Sequence, residues 1–93
     1  MPSESRQDRI KRLGYRAGRR GFKEADLLIG GFARARLHLM AETELDEFED
    51  LLNAPDQDIY SWALGRSEAP PEHRTRVLDQ MRAFVADGGI ARD

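Results

Sequence analysis

The side chains best suited to chemistry are concentrated between residues 18 and 26, where the chain reads Gly-Arg-Arg-Gly-Phe-Lys-Glu-Ala-Asp. Glycine and arginine are typical of a helix end and acids of the next helix start, so spacing by itself favours plain capping. The same residues could form a rigid turn whose guanidiniums and carboxylate grip another molecule, with a glycine that permits close backbone approach. The predicted partner-binding residues are Arg19, Arg20, Gly21, Glu24 and Asp26.

A second group of polar and aromatic residues runs from 56 to 62, Asp-Gln-Asp-Ile-Tyr-Ser-Trp. A lone tryptophan in a small helical protein is usually a core residue. Two acids ahead of an aromatic face could also support or edge an interface. The predicted secondary interface or support consists of Asp56, Asp58, Tyr60 and Trp62.

Familiar catalytic and metal sites find little support in the 93 residues. The chain has no cysteine, which excludes disulfides, iron–sulfur clusters, thiolate zinc sites and cysteine nucleophiles. His38 and Glu42 have the spacing of half a metal site, but a surface ion pair or simple solvation explains them better. The aspartates at 56 and 58 resemble the start of a calcium loop, yet Ser61 and Ser67 replace its glycine and its last acid. We therefore predict no metal site, no catalytic set and no enzyme activity.

Charge is divided unevenly along the chain. The 15 basic and 17 acidic residues give a net charge of −2, but residues 1–23 hold eight bases and two acids, and the remainder carries a net charge of −8. Either the basic part meets an acidic partner, or the two parts pair with each other. A basic start is also typical of a mitochondrial transit segment, but its periodic apolar residues favour a place in the fold.

Apolar residues recur every three or four positions, which predicts an all-α bundle of five or six short helices in one domain. No apolar run is long enough to span a bilayer, so we expect no membrane insertion. Residues 1–5 and 88–93 are expected to be frayed. The predicted helices cover about 7–17, 23–40, 43–52, a short stretch from 56 or 58 to about 64, and 71–86.

Four signals set the expected ends of these helices. Gly30–Gly31 predicts a kink or break in the second helix. Thr43 is the expected N-cap of the third, and Asp56 or Asp58 that of the fourth. Pro71 suits the first position of the last helix.

Two motifs carry a resemblance to a known family. Residues 20–24 fit the pattern R-G-x-x-E, with Arg19 before it and Asp26 after it. Residues 56–62 fit D-x-D, then an aliphatic residue, an aromatic or aliphatic residue, any residue and a tryptophan. In these motifs, and over about residues 6–86, the chain resembles the SdhE-type flavin assembly factors of succinate dehydrogenase and fumarate reductase. The mitochondrial members are called succinate dehydrogenase assembly factor 2. The resemblance implies a five-helix fold.

It also implies a function as a chaperone-like assembly factor. Such a factor binds the flavoprotein subunit of succinate dehydrogenase or fumarate reductase and promotes covalent attachment of FAD to a histidine of that subunit. The factor then has no cofactor of its own, and FAD belongs to its client. The expected protein is a monomer when free, without nucleic acid, in a bacterial cytoplasm or, in a eukaryote, the mitochondrial matrix. The alternative is a small nucleic-acid-binding or antitoxin-like regulatory module that uses the basic first helix.

Overall fold

The computed structural model describes residues 4–89, which form five α-helices and two short 3₁₀ turns and contain no strand. This confirms the predicted all-α fold. None of the described helices is both long and apolar enough to cross a membrane. The helices are α1 (Arg6–Ala17), α2 (Lys23–Arg36), α3 (Glu42–Leu51), α4 (Asp56–Ala63) and α5 (Arg76–Ala86), with 3₁₀ turns at Leu37–Leu39 and Pro71–His73.

The apolar positions of the five helices form one core. α2 lies at its centre and packs against α1, α4 and α5. The ring of Phe32 on α2 lies between Phe48 and Phe84, with centroid distances of 5.9 and 5.7 Å. These aromatic contacts hold α2, α3 and α5 together, while α1 buries Leu13 and Ala17 in the same core.

The expected break at Gly30–Gly31 is wrong, because α2 continues through both glycines. A Cβ atom on Gly30 would lie 2.9 Å from the Cα of Gly18, so the glycine lets the end of α1 approach the α2 backbone. Gly31 has more room, since its nearest neighbours would be 4.0 Å away. The helix-propensity cost of Gly30 is therefore offset by close helix packing, which a local sequence signal does not reveal.

The starts of α3 and α4 differ from expectation. Thr43 is not the N-cap of α3, because the helix begins one residue before it and Ala41 occupies the capping position. The Glu44 carboxylate accepts a hydrogen bond from the Ala41 N–H at 2.9 Å, so this backbone donor at the start of the helix has a partner. Asp56 is the first helical residue of α4, after Pro55, and its carboxylate is used elsewhere.

The last helix also begins later than predicted. Pro71 opens the second 3₁₀ turn, and α5 starts at Arg76. Thr75 caps α5, with its hydroxyl accepting from the Leu78 N–H at 3.2 Å.

Most of the two predicted frayed ends, residues 1–3 and 90–93, lies outside the described residues. At the described edge, the Ser5 hydroxyl caps α1 by accepting from the Asp8 N–H at 3.1 Å. Glu4 receives two hydrogen bonds from the Arg12 guanidinium, each of 2.9 Å.

Candidate functional site

The turn between α1 and α2, residues 18–22, is called the elbow below, and the Asp56 carboxylate holds it in place. One oxygen of Asp56 accepts from Arg20 Nε at 2.6 Å. The other accepts from the backbone N–H of Gly21. The first residue of α4 therefore binds the side chain and the backbone of the elbow at once, and the two sequence motifs form one bonded unit.

The Arg20 side chain points into the protein and is only 9% exposed. Besides Asp56, its guanidinium donates to the carbonyl of Leu52 at 2.9 Å and to that of Ala54 at 3.3 Å. These carbonyls follow the end of α3, where helix geometry leaves acceptors without intrahelical donors. Asp26 accepts from the Arg20 N–H and fixes the backbone of the elbow from the α2 side. Arg20 and Asp26 thus shape the elbow from within.

Contacts within the chain require a glycine at position 21. Its backbone does not adopt a left-handed conformation, so positive φ is not the reason for a glycine. A Cβ atom there would lie 2.9 Å from Oδ2 of Asp56, the oxygen that receives the Gly21 N–H. The missing side chain makes room for the carboxylate, and it also leaves this exposed stretch of backbone bare.

The outward surface of the elbow carries Arg19 and Glu24, both exposed. The Arg19 guanidinium lies 4.3 Å above the ring of Tyr15, and that tyrosine is 64% exposed. Arg19 is thereby held over an aromatic face, while its charge remains accessible. The elbow therefore presents the Arg19 guanidinium, the Glu24 carboxylate and the exposed Gly21 backbone together.

A shallow surface depression of about 590 Å³ lies beside the elbow. Phe22 forms part of its wall and makes an edge-to-face contact with Tyr60, with 5.3 Å between the ring centroids. The depression is lined by Gly21, Phe22, Pro55, Asp56, Gln57 and Asp58.

The structure divides the nine residues singled out from the sequence into two groups. Arg19, Gly21, Glu24 and Asp58 are exposed. Arg20, Asp26 and Asp56 make the internal bonds, Tyr60 is half-buried, and Trp62 is a core residue at 7% exposure. The sequence interpretation missed Tyr15 and Phe22, although aromatic residues this close to the motif were an available signal.

The basic face of α1 is paired with the acidic face of α3. Arg6 binds Glu42 at 2.7 Å, Arg9 binds Asp46 at 2.6 Å, and Arg9 also reaches Glu49 at 3.0 Å. The two oppositely charged parts of the chain therefore pair with each other. These arginines already hold carboxylates, which weighs against phosphate binding by this face.

Hydrogen bonds lower the pKa of two carboxyl groups on α3. A hydrogen bond from Arg12 is the largest cause that holds the pKa of Glu49 below its ordinary 4.5, and a bond from Arg9 adds to it. Hydrogen bonds from the Ala41 N–H and then from Gln80 likewise lower the pKa of Glu44. Glu44 and Glu49 are thus stabilised in their charged form.

The exposed side chains of the elbow are suited to binding. Within residues 4–89, no cluster of three or more histidine, aspartate or glutamate side chains is arranged to hold a metal ion. Arg19 and Glu24 can pair with charged or polar groups of another molecule, which is a docking chemistry.

Comparisons with known proteins show the family to which the chain belongs. Residues 11–85 match the family described as flavinator of succinate dehydrogenase. The chain is 40% identical to the FAD assembly factor SdhE of Acetobacter pasteurianus over 84 residues, which cover 90% of this chain and 74% of that protein.

Mitochondrial proteins named succinate dehydrogenase assembly factor 2 are also similar. The one from Dictyostelium discoideum is 43% identical over 68 residues, covering 73% of this chain and 48% of that protein. One from Saccharomyces cerevisiae is 47% identical over 77 residues, covering 78% and 48%. The chain spans about half the length of these two mitochondrial relatives.

Proposed function

Because the chain belongs to the family of flavinators of succinate dehydrogenase, we propose that it promotes covalent attachment of FAD to the flavoprotein subunit of succinate dehydrogenase or fumarate reductase. The observation that carries this proposal is that the family match spans both motifs, and that Asp56 bonds them into a single supported surface.

The elbow is the proposed contact with the client. Arg19 and Glu24 are exposed on either side of the bare Gly21 backbone, so they can fix the orientation of a second polypeptide. Arg20, Asp26 and Asp56 act through the elbow, because their bonds are made within the chain. The partner contact then needs little rearrangement, which reduces the entropy lost on binding.

We assign bond formation to the client: a histidine of the flavoprotein subunit becomes joined to the FAD of that subunit. A binding protein accelerates such a step only by favouring the competent arrangement of the client over others. We therefore assign this chain an assembly role with no cofactor and no catalytic residue of its own. It acts as a monomer, in the compartment where the client is loaded: the bacterial cytoplasm or the mitochondrial matrix.

Reconstitution tests this function. The flavoprotein subunit, purified without covalent flavin, is incubated with FAD in the presence and absence of this protein, and covalent flavin is read as in-gel fluorescence after denaturation. We expect the protein to raise the fluorescence. Equal fluorescence with and without the protein would overturn the proposal.

Variants locate the effect on the elbow. Glu24→Ala removes an exposed carboxylate that makes no hydrogen bond to residues 4–89, so the fold is retained while stimulation and complex formation fall about tenfold. Arg36→Ala, at the far end of α2, is the matched control and keeps full stimulation. Unchanged stimulation and complex formation with both Glu24→Ala and Gly21→Arg would exclude the elbow as the contact.

A further inference from the structure

A groove lies between α1 and the far end of α2, away from the elbow. It has a volume of about 350 Å³ and is lined by Ile10, Gly14, Ala33, Arg34, Leu37 and His38. Ala33 and Leu37 are almost fully buried and form an apolar floor. Its lining shares no residue with the depression beside the elbow, so this groove is separate from the client contact proposed above.

Position 14 carries no side chain, and the space beside its backbone is open. A Cβ atom on Gly14 would meet nothing within 4 Å, whereas one on Gly30 would collide with α1. A glycine in a helix interior is less stable than alanine, so Gly14 has a cost that helix packing does not explain. Space for an incoming group does explain it.

Two cationic side chains and one histidine surround the apolar floor. Arg34 and His38 stand on the α2 side and are exposed. Lys11 is exposed on α1 and shares the helix face of Gly14 and Gly18, three and seven residues later. None of the three forms a salt bridge with residues 4–89, unlike Arg6, Arg9 and Arg12 on the opposite side of α1.

We propose that this groove binds an acidic peptide segment of a partner protein, whose apolar side chain fills the space over Gly14 and whose carboxylates pair with Arg34 and Lys11. Charge complementarity selects the occupant, because Arg34 and Lys11 form no salt bridge with residues 4–89 in a chain with a net charge of −2. The apolar floor favours a peptide over a nucleic acid, since phosphate contacts alone would not use it. This proposal does not depend on the function proposed above.

The probe is a fluorescein-labelled synthetic peptide, Glu-Asp-Glu-Leu-Leu-Asp-Glu, titrated against the full chain in 50 mM salt and followed by anisotropy. An amide version with Gln and Asn in place of the acids is the charge control. We expect saturable binding of the acidic peptide alone. NMR shifts in the ¹⁵N-labelled chain should centre on Gly14, Ala33 and Leu37.

Three variants make the test specific. Gly14→Leu fills open space, so the chain stays folded with an equal or higher Tm, while peptide affinity falls at least tenfold. Arg34→Glu should lower the peptide affinity by a similar factor. Arg36→Glu, on the opposite side of α2, should change that affinity less than twofold. The proposal is overturned if the acidic peptide fails to bind, if Gly14→Leu leaves its affinity unchanged, or if a single-stranded oligonucleotide displaces it from these residues.

Discussion

Asp56 determines the shape of the elbow at the scale of single residues. Its two oxygens serve two different donors, the Arg20 side chain and the Gly21 backbone. Without this carboxylate, the largely buried guanidinium of Arg20 would keep only the two carbonyls that follow α3. An unpaired buried charge is costly, so Asp56 is more sensitive to substitution than its exposure suggests.

The pair Asp56→Ala and Asp58→Ala tests this assignment. Both aspartates lie in the first turn of α4 and interact alike with the helix dipole. We expect Asp56→Ala to lower the free energy of unfolding by about 2–4 kcal/mol, because Arg20 loses its partner. Asp58→Ala should cost less than about 1 kcal/mol. Urea unfolding followed by circular dichroism measures both, and equal losses would show that the Arg20 bond contributes nothing.

At the scale of helices, two contacts of α1 have different physical origins. Towards α3 the contact consists of ion pairs, and towards α2 it is close backbone packing at Gly18 and Gly30. Exposed ion pairs contribute about 0.2–1 kcal/mol each and depend on pH and salt. Backbone packing depends on neither, so the two contacts can be tested independently.

The glycines of α2 give the test of packing. Gly30→Ala should lower the free energy of unfolding by about 1–3 kcal/mol, because its Cβ would press on Gly18. Gly31→Ala meets nothing closer than 4.0 Å and should raise that free energy by up to about 1 kcal/mol through helix propensity. Thermal unfolding of the two variants checks the signs. A stabilised Gly30→Ala protein would contradict the close helix contact.

The ion pairs between α1 and α3 predict a pH dependence. The pKa of Glu49 is lower in the folded protein than its ordinary 4.5, so its contribution is complete above that value and is lost as the pH falls through the folded pKa. Glu49→Gln should therefore lower stability at pH 7, and the difference from the unmodified protein should shrink at pH 3. Urea titrations at the two pH values measure it. A difference that is as large at pH 3 as at pH 7 would exclude the ion pairs as its source.

Across the whole molecule, local sequence signals predicted the helices better than the contacts between them. Apolar periodicity located all five helices, because each buries one face in a common core. The continuity of α2 was not predictable, since the reason for Gly30 lies in Gly18, twelve residues earlier.

The inward orientation of Arg20 was equally hidden, because its acceptors are 32 to 36 residues away in the chain. Composition alone could not show whether the basic part of the chain binds an acidic partner or pairs with the acidic part. The packing of α1 on α3 shows that the two parts pair. The motif residues are likewise divided into inward and outward groups by tertiary contacts. The sequence therefore indicated where the candidate site lies, and the fold determines which of its residues remain available to a partner.

Amide hydrogen exchange can show whether the elbow docks another polypeptide. No side chain caps the start of α2, so the amides of Lys23 and Glu24 are expected to exchange quickly in the free protein. On addition of excess FAD-loaded flavoprotein subunit, we expect at least tenfold slower exchange at these two residues, with exchange at Arg36 unchanged. A complex that forms while exchange at Lys23 and Glu24 stays as fast as in the free protein would contradict docking by the elbow.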